Sequence, residues 1–195
     1  MLDEHLSWDN HIQALHKKIS SGLFALRSMA KFCSTEVLKT IYFAHIHSHI
    51  AFGIALYGAT SDNNLQSILR LQKKAIRIIM NLGERESVKG LFAELGIPTV
   101  YGLYIQETIM SVKTNSTTLH TLGTHHSYST RNRNQLSIPK HSLEFYNKKP
   151  SSAGIKFFNK IPKEILSITN LVLLKKHLKN YITQKEIYSF NEFLE

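Results

Sequence analysis

Aliphatic and polar residues alternate with a helical period along much of this chain, most cleanly between Leu65 and Met80. At about 100° per residue, Leu65, Ile68, Leu69, Ile76 and Ile79 share one side of a predicted helix, widened by Leu71, Ala75 and Ile78. Arg70, Lys73, Lys74 and Arg77 occupy an arc of about 100° beside it. Upstream, Ser7 is placed to cap a helix whose apolar positions Trp8, Ile12, Leu15, Ile19, Leu23, Leu26 and Ala30 keep three-to-four spacing. Ser34 is placed to cap a second over Val37, Leu38, Ile41, Tyr42, His45, Ile46 and Ile50, with Glu36 in its first turn where the helix dipole favours a negative charge. Gly53 and Gly58 are expected to loosen its end. The Ser61, Asp62, Asn63, Asn64 cluster then makes a turn and a cap for the Leu65 helix, which should end near Asn81 and Gly83.

A shorter amphipathic segment holds Val88, Leu91, Phe92 and Leu95 and is stopped by Gly96 and Pro98. Thr99 can cap a further helix through Val100, Leu103, Tyr104 and Val112, giving about five helices by Lys113. Beyond Asn115 the pattern dissolves into Ser, Thr, Asn and His. Residues 115–127 read as a linker, and 135–141 as an extended piece that Pro139 would confine to an edge. Ser151 or Ser152 should start a short helix over Ile155, Phe157 and Phe158, which Pro162 ends or follows with a turn. Thr169 or Asn170 should cap a last one carrying Leu171, Leu174, Leu178, Tyr181 and Ile182, with Lys175, Lys176 and Lys179 on its other sides. The expected fold is mainly α. A bundle over residues 1–114 precedes the linker, and a basic, loop-rich region over 128–195 carries the extended piece and two further helices.

Composition narrows what such a chain can do. At 195 residues with 43% hydrophobic and 19% charged side chains, it can bury a real core. Twenty-four Lys and Arg against fourteen Asp and Glu leave +10 at pH 7. That excess, with a pI near 9.7, meets the usual footprint of a nucleic-acid binder; a membrane surface or an acidic protein would also satisfy it. The single cysteine, Cys33, excludes an intramolecular disulfide and a multi-cysteine zinc site. Asp3, Glu4, His5, Asp9 and Asn10 interrupt any signal-like apolar run, and no stretch reaches the roughly 18 apolar residues of a spanning helix. The expectation is an intracellular protein, nuclear or cytoplasmic, neither secreted nor in a membrane.

Catalysis is poorly provided for. Two-metal polymerases and nucleases need closely placed carboxylates, yet the aspartates are only Asp3, Asp9 and Asp62, with no adjacent Asp pair. Gly22, Gly53, Gly58 and Gly83 are isolated, so neither a Walker loop nor a Rossmann fingerprint forms. His45, His47 and His49 lie close together, but without the Glu of a His-Glu-x-x-His motif they read as packed or surface histidines rather than a zinc site. Nothing beside Cys33 marks it as an activated nucleophile. No enzyme activity, metal or cofactor is expected.

The stronger signal is electrostatic. No acidic residue interrupts the Arg70, Lys73, Lys74, Arg77 arc, which therefore faces either an anionic ligand or plain solvent. A second group, Arg131, Arg133, Lys140, Lys148 and Lys149, surrounds Tyr128, Phe145 and Tyr146, with Glu144 as the one acid. It suits phosphate contacts with occasional base or sugar stacking, or it is a solvated basic linker.

Six blocks in order also carry a family resemblance: LDEHLSWDNHI (2–12), HSHIAFGIALYGA (47–59), LQKKAIRII (71–79), LFAELGIPTV (91–100), HSYSTRNRNQLSIPKH (126–141) and GIKFFNKIPKEI (154–165). Together they make the chain resemble the part of non-LTR, LINE-type retrotransposon reverse transcriptases that follows the catalytic palm, most like jockey-type elements. The resemblance implies a helical thumb over residues 1–114 and a C-terminal region after it. It also implies a missing palm and fingers, because the family's Tyr or Phe, Ala, Asp, Asp metal motif is not in this chain. The chain would then be a catalytically incomplete fragment, a remnant or an exapted piece. A thumb grips a template-primer duplex by its backbone, which implies that Arg70, Lys73, Lys74 and Arg77 contact RNA/DNA hybrid or duplex phosphates. A protein-interaction module with an acidic partner, or a chain without function, stands as the alternative.

Overall fold

Apolar spacing becomes buried surface along the first half of the chain. The computed structural model describes residues 7–115, 119–124, 131–139, 142, 146 and 149–195. The chain is all-α, 68% helical, and no strand forms among the described residues. The first long helix, α1 (Asp9–Met29), buries Ile12, Leu15, Ile19, Leu23 and Leu26. It starts at Asp9 with Trp8 at the N-cap position, not at Ser7, whose hydroxyl instead donates to the Asp9 carboxylate at 3.3 Å. Helix α2 (Thr35–Tyr42) follows Ser34 as predicted, although the Ser34 hydroxyl makes no capping bond. The expected single helix is then interrupted by a wide π turn over Phe43–His47 before α3 (Ser48–Ala51), and Gly53, at φ 71°, breaks the chain into α4 (Ile54–Tyr57).

Helix α5 (Asp62–Ile79) is capped by Ser61, whose side chain accepts from the Asn64 N–H at 3.4 Å, and it buries Leu65, Ile68, Leu69, Ala75, Ile76 and Ile79. Helix α6 (Leu91–Leu95) ends at Gly96 in the left-handed conformation. Thr99 caps α7 (Val100–Thr114) by accepting from the Gly102 N–H at 3.1 Å, while its hydroxyl donates to the Ile187 carbonyl at 2.6 Å. Helix α7 is buried almost all round, as expected of a central helix. Its N-terminus is held by Gln72 of α5, whose fully buried amide accepts from the Val100 N–H at 2.7 Å and donates to the Tyr42 hydroxyl at 2.9 Å and the Pro98 carbonyl at 3.2 Å.

The C-terminal part packs onto this bundle. Helix α8 (Pro150–Phe158) makes its main contact with α7, and α10 (Leu171–Lys185) packs on α6 and α7. Only a glycine fits at 154, because a Cβ there would lie 2.8 Å from Val112 and 2.9 Å from the Thr108 carbonyl. One cluster of buried side chains runs from Ile12 through Tyr104 to Phe157, Leu178, Ile182 and Phe193. Helix α8 begins at Pro150 rather than at Ser151 or Ser152, since proline is pre-organised for the first helical position. Asn170 caps α10 as expected, accepting from the Val172 and Leu173 N–H groups. More than two helices follow the loop region: the one-turn α9 (Lys163–Leu166) and α11 (Phe190–Leu194), the latter capped by Ser189, are too short to show a period in sequence.

The expected extended piece is a single antiparallel bridge, Thr121 to Leu136, flanked by Leu122 N–H to Gln135 C=O at 2.9 Å and Ser137 N–H to His120 C=O at 2.8 Å. Asn159 completes it. Its side chain accepts from the Leu136 N–H at 3.0 Å and donates to the Leu136 carbonyl at 2.9 Å, replacing the strand that a wider sheet would supply. Residues 140 and 141 of that piece lie outside the described residues.

Candidate nucleic-acid interface

The apolar stripe of α5 fixes which way its cations point. With Leu65, Ile68, Leu69 and Ile76 buried, Arg70 and Lys74 are turned outward, and both are exposed. Neither makes a hydrogen bond or ion pair with a described residue. Lys73 and Arg77 are half-buried and differently placed. The Lys73 ammonium sits 4.7 Å from the centre of the Tyr188 ring, a cation–π contact with the segment before α11. Burial there, and then the nearby Arg77, pulls Lys73 below the usual lysine range. Arg77 donates through Nε to the Glu86 carbonyl at 2.9 Å, which folds the loop after α5 back along the helix.

No carboxylate among the described residues pairs with these four cations. On the Tyr188 side, two carboxylates are already engaged. Glu186 accepts from the Gly90 N–H at 2.7 Å, the Ala93 N–H at 2.9 Å and the Tyr188 hydroxyl at 3.0 Å, serving the start of α6. Glu192 accepts from the Tyr188 N–H at 2.7 Å. Ion pairs among the described residues lie elsewhere, Lys39 with Glu36 at 3.5 Å and Lys175 with Glu107 at 2.8 Å.

The second set is built on a turn. Arg131 and Arg133 are exposed on the 131–134 turn that leads into the Leu136 bridge. Lys149, just before α8, places its ammonium 3.8 Å from the centre of the Tyr146 ring. Lys140, Lys148, Tyr128 and Phe145 lie outside the described residues. Arg131 lines a cleft of about 230 Å³ together with Asn132, Asn134, Phe158 and Lys163. Sequence reasoning did not single out Asn159, whose role depends on a contact 23 residues away along the chain, or Lys163, which meets Arg131 only through the fold. No hydrogen bond or ring contact among the described residues joins Arg131, Arg133 or Lys149 to the cations of α5.

No family model, curated protein or solved structure matches this chain. The two cationic surfaces therefore rest on their own geometry.

The histidines of the π turn face different ways. His45 is exposed, whereas His47 is packed against the Phe43 ring at 5.0 Å. Burial, and secondarily Lys179, lowers the His47 pKa to about 4. Its Nδ1 is buried without a hydrogen-bond partner among the described residues. No group of three metal-capable side chains gathers among the described residues, and none of their helices is long and apolar enough to cross a membrane.

Proposed function

We propose that this chain contacts the backbone of a nucleic-acid duplex through the basic side of α5, as a catalytically incomplete, thumb-like fragment of a non-LTR reverse transcriptase. The observation that carries this reading is the outward pair Arg70 and Lys74, exposed on a rigid, capped helix and unmatched by a carboxylate among the described residues. Cations held on a helix suit phosphate contacts, which position a duplex without reading its sequence. The described aspartates are committed to structure. Asp9 accepts from the Asn64 amide at 2.8 Å and Asp62 from the Tyr101 hydroxyl at 2.5 Å, and no group of three metal-capable side chains gathers among the described residues. Polymerase chemistry would belong to a palm and fingers outside this chain.

Binding of an RNA/DNA hybrid at increasing salt tests the proposal. Changing Arg70 and Lys74 to Ala should lower the slope of log K against log salt by about 0.9 per cation removed. An unchanged slope would take α5 out of the interface. A second reading, a module for an acidic protein partner, draws on the same cations and on the strongly exposed Phe32 and Phe52, at 82% and 80%. It predicts a complex that survives nuclease treatment and no retention on nucleic acid at moderate salt.

A further inference from the structure

The Leu136–Asn159 pairing divides a groove in two. On one side lies the cleft lined by Arg131, Asn132, Asn134, Phe158 and Lys163. On the other lies a second cleft of about 290 Å³, lined by Ile138, Lys156, Lys160 and Leu194. Gln135 and Asn159 belong to both walls, so the two spaces adjoin. Each has at least one lysine or arginine at its edge, and no carboxylate side chain lines either. Among the described residues, Lys160 is the one of these cations with an acceptor, the Glu195 main-chain oxygen at 3.5 Å.

Lining and charge narrow the ligand class. At about 230 and 290 Å³ the clefts lie at the small end of ligand pockets, about 300–1,000 Å³, and each has room for a unit the size of one base. Two such spaces meeting at the Gln135 and Asn159 wall are placed to take two units of one polymer crossing that wall. Side-chain amides at 132, 134 and 135 offer both donors and acceptors, the complement of exposed base edges, and Phe158 gives the first cleft an aromatic wall. Arg131 and Lys163 at the first cleft, with Lys156 and Lys160 at the second, are placed for a charged backbone passing over both. An acidic peptide answers the cations and, through its N–H groups, the amide acceptors as well; stacking of a base on Phe158 is what separates the two ligands, and the abasic and poly-glutamate arms of the test read it.

We infer that these clefts hold two successive unpaired nucleotides of a single strand, with the Leu136–Asn159 pairing as the ridge between them. The inference rests on the reading that this chain contacts nucleic acid and adds a second, single-strand site to the duplex contact of α5. Asn159 is a positioning residue: it holds the 131–135 turn over the groove by gripping both polar groups of Leu136.

The test uses the full chain with a fluorescent oligo-dT strand, the same strand carrying abasic sites, poly-glutamate, and an RNA/DNA hybrid duplex. The intact strand should bind about tenfold more tightly than the abasic one, as expected when bases rest on aromatic and amide surfaces. Replacing Arg131 and Lys163 with Ala, both exposed, should lower the single-strand salt slope by about 0.7 per cation and leave the duplex slope unchanged. Changing Phe158 to Leu should remove the preference for the intact strand. Equal binding of intact and abasic strands, or a poly-glutamate affinity that falls in step with that for oligo-dT, overturns the inference. Loss of duplex binding with Arg70 and Lys74 changed, while single-strand binding persists, supports both sites separately. Persistent single-strand preference with an unchanged duplex slope would overturn the α5 reading alone.

Discussion

The basic side of α5 and the groove across Leu136 and Asn159 are both cationic, yet they are assembled in opposite ways. On α5 every cation is placed by local rules: an apolar stripe, a Ser61 cap and a period of 3.6 residues. In the groove, Arg131 stands on a turn whose position depends on Asn159, 23 residues further on. Local placement made α5 easy to find, but it did not reveal which cations remain open. The Tyr188 ring covers Lys73 from a segment far along the chain, and the Glu86 carbonyl engages Arg77. Helical spacing assigns direction to a side chain; only tertiary packing decides what else lies in that direction.

The largest break in this comparison should come from Gln72. Replacing it with Leu leaves the Val100 N–H, the Tyr42 hydroxyl and the Pro98 carbonyl without their partner in the core. At about 1–3 kcal/mol for each stranded group, the loss should exceed about 3 kcal/mol and lower the thermal midpoint seen by circular dichroism. An unchanged midpoint would mean that α5 is not tied to α7 through this amide.

Acid should act next most strongly, again on the bundle. The folded-state pKa of His47 lies at about 4, below the ordinary 6.5, so the unfolded chain takes up the proton first as pH falls. Its contribution is complete above pH 6.5 and is lost as pH drops from there to 4, by up to about 3 kcal/mol. Denaturant melts across that window should slope less for a His47→Phe variant. Equal slopes would show that the ring is not buried as described.

Asn159→Ala should have the smallest effect on stability, about 1–2 kcal/mol for two hydrogen bonds, and the most local one. Hydrogen exchange should quicken at the Leu136 amide while the amides of α5 keep their protection. If both regions quicken together, the groove and the bundle are a single cooperative unit and the contrast between them is one of position only.

Much of the helical half was legible because apolar spacing and caps are local signals. Leu65, Ile68, Leu69, Ile76 and Ile79 are buried where their spacing put them, and Ser61, Thr99 and Asn170 cap where expected. Gln72 gave no warning, since a glutamine beside a basic arc looks solvated until its three partners are known. The same holds for Glu186, whose service to α6 spans the chain from residue 90 to residue 186. In the loop region a single bridge and one asparagine replace a repeating pattern, so no period was there to read.

The π turn at Phe43–His47 turns chain length into information. Leu38, Tyr42, Ile46 and Ile50 are all buried at a strict interval of four, which a regular helix of 3.6 residues per turn would let drift sideways. The wider turn absorbs part of that drift and works like a vernier. Removing one residue there would swing everything downstream by about 100° and aim Ile50 away from the core, with the overall hydrophobicity almost unaltered. This stretch should accept exchanges of one aliphatic residue for another far more readily than it accepts any insertion or deletion.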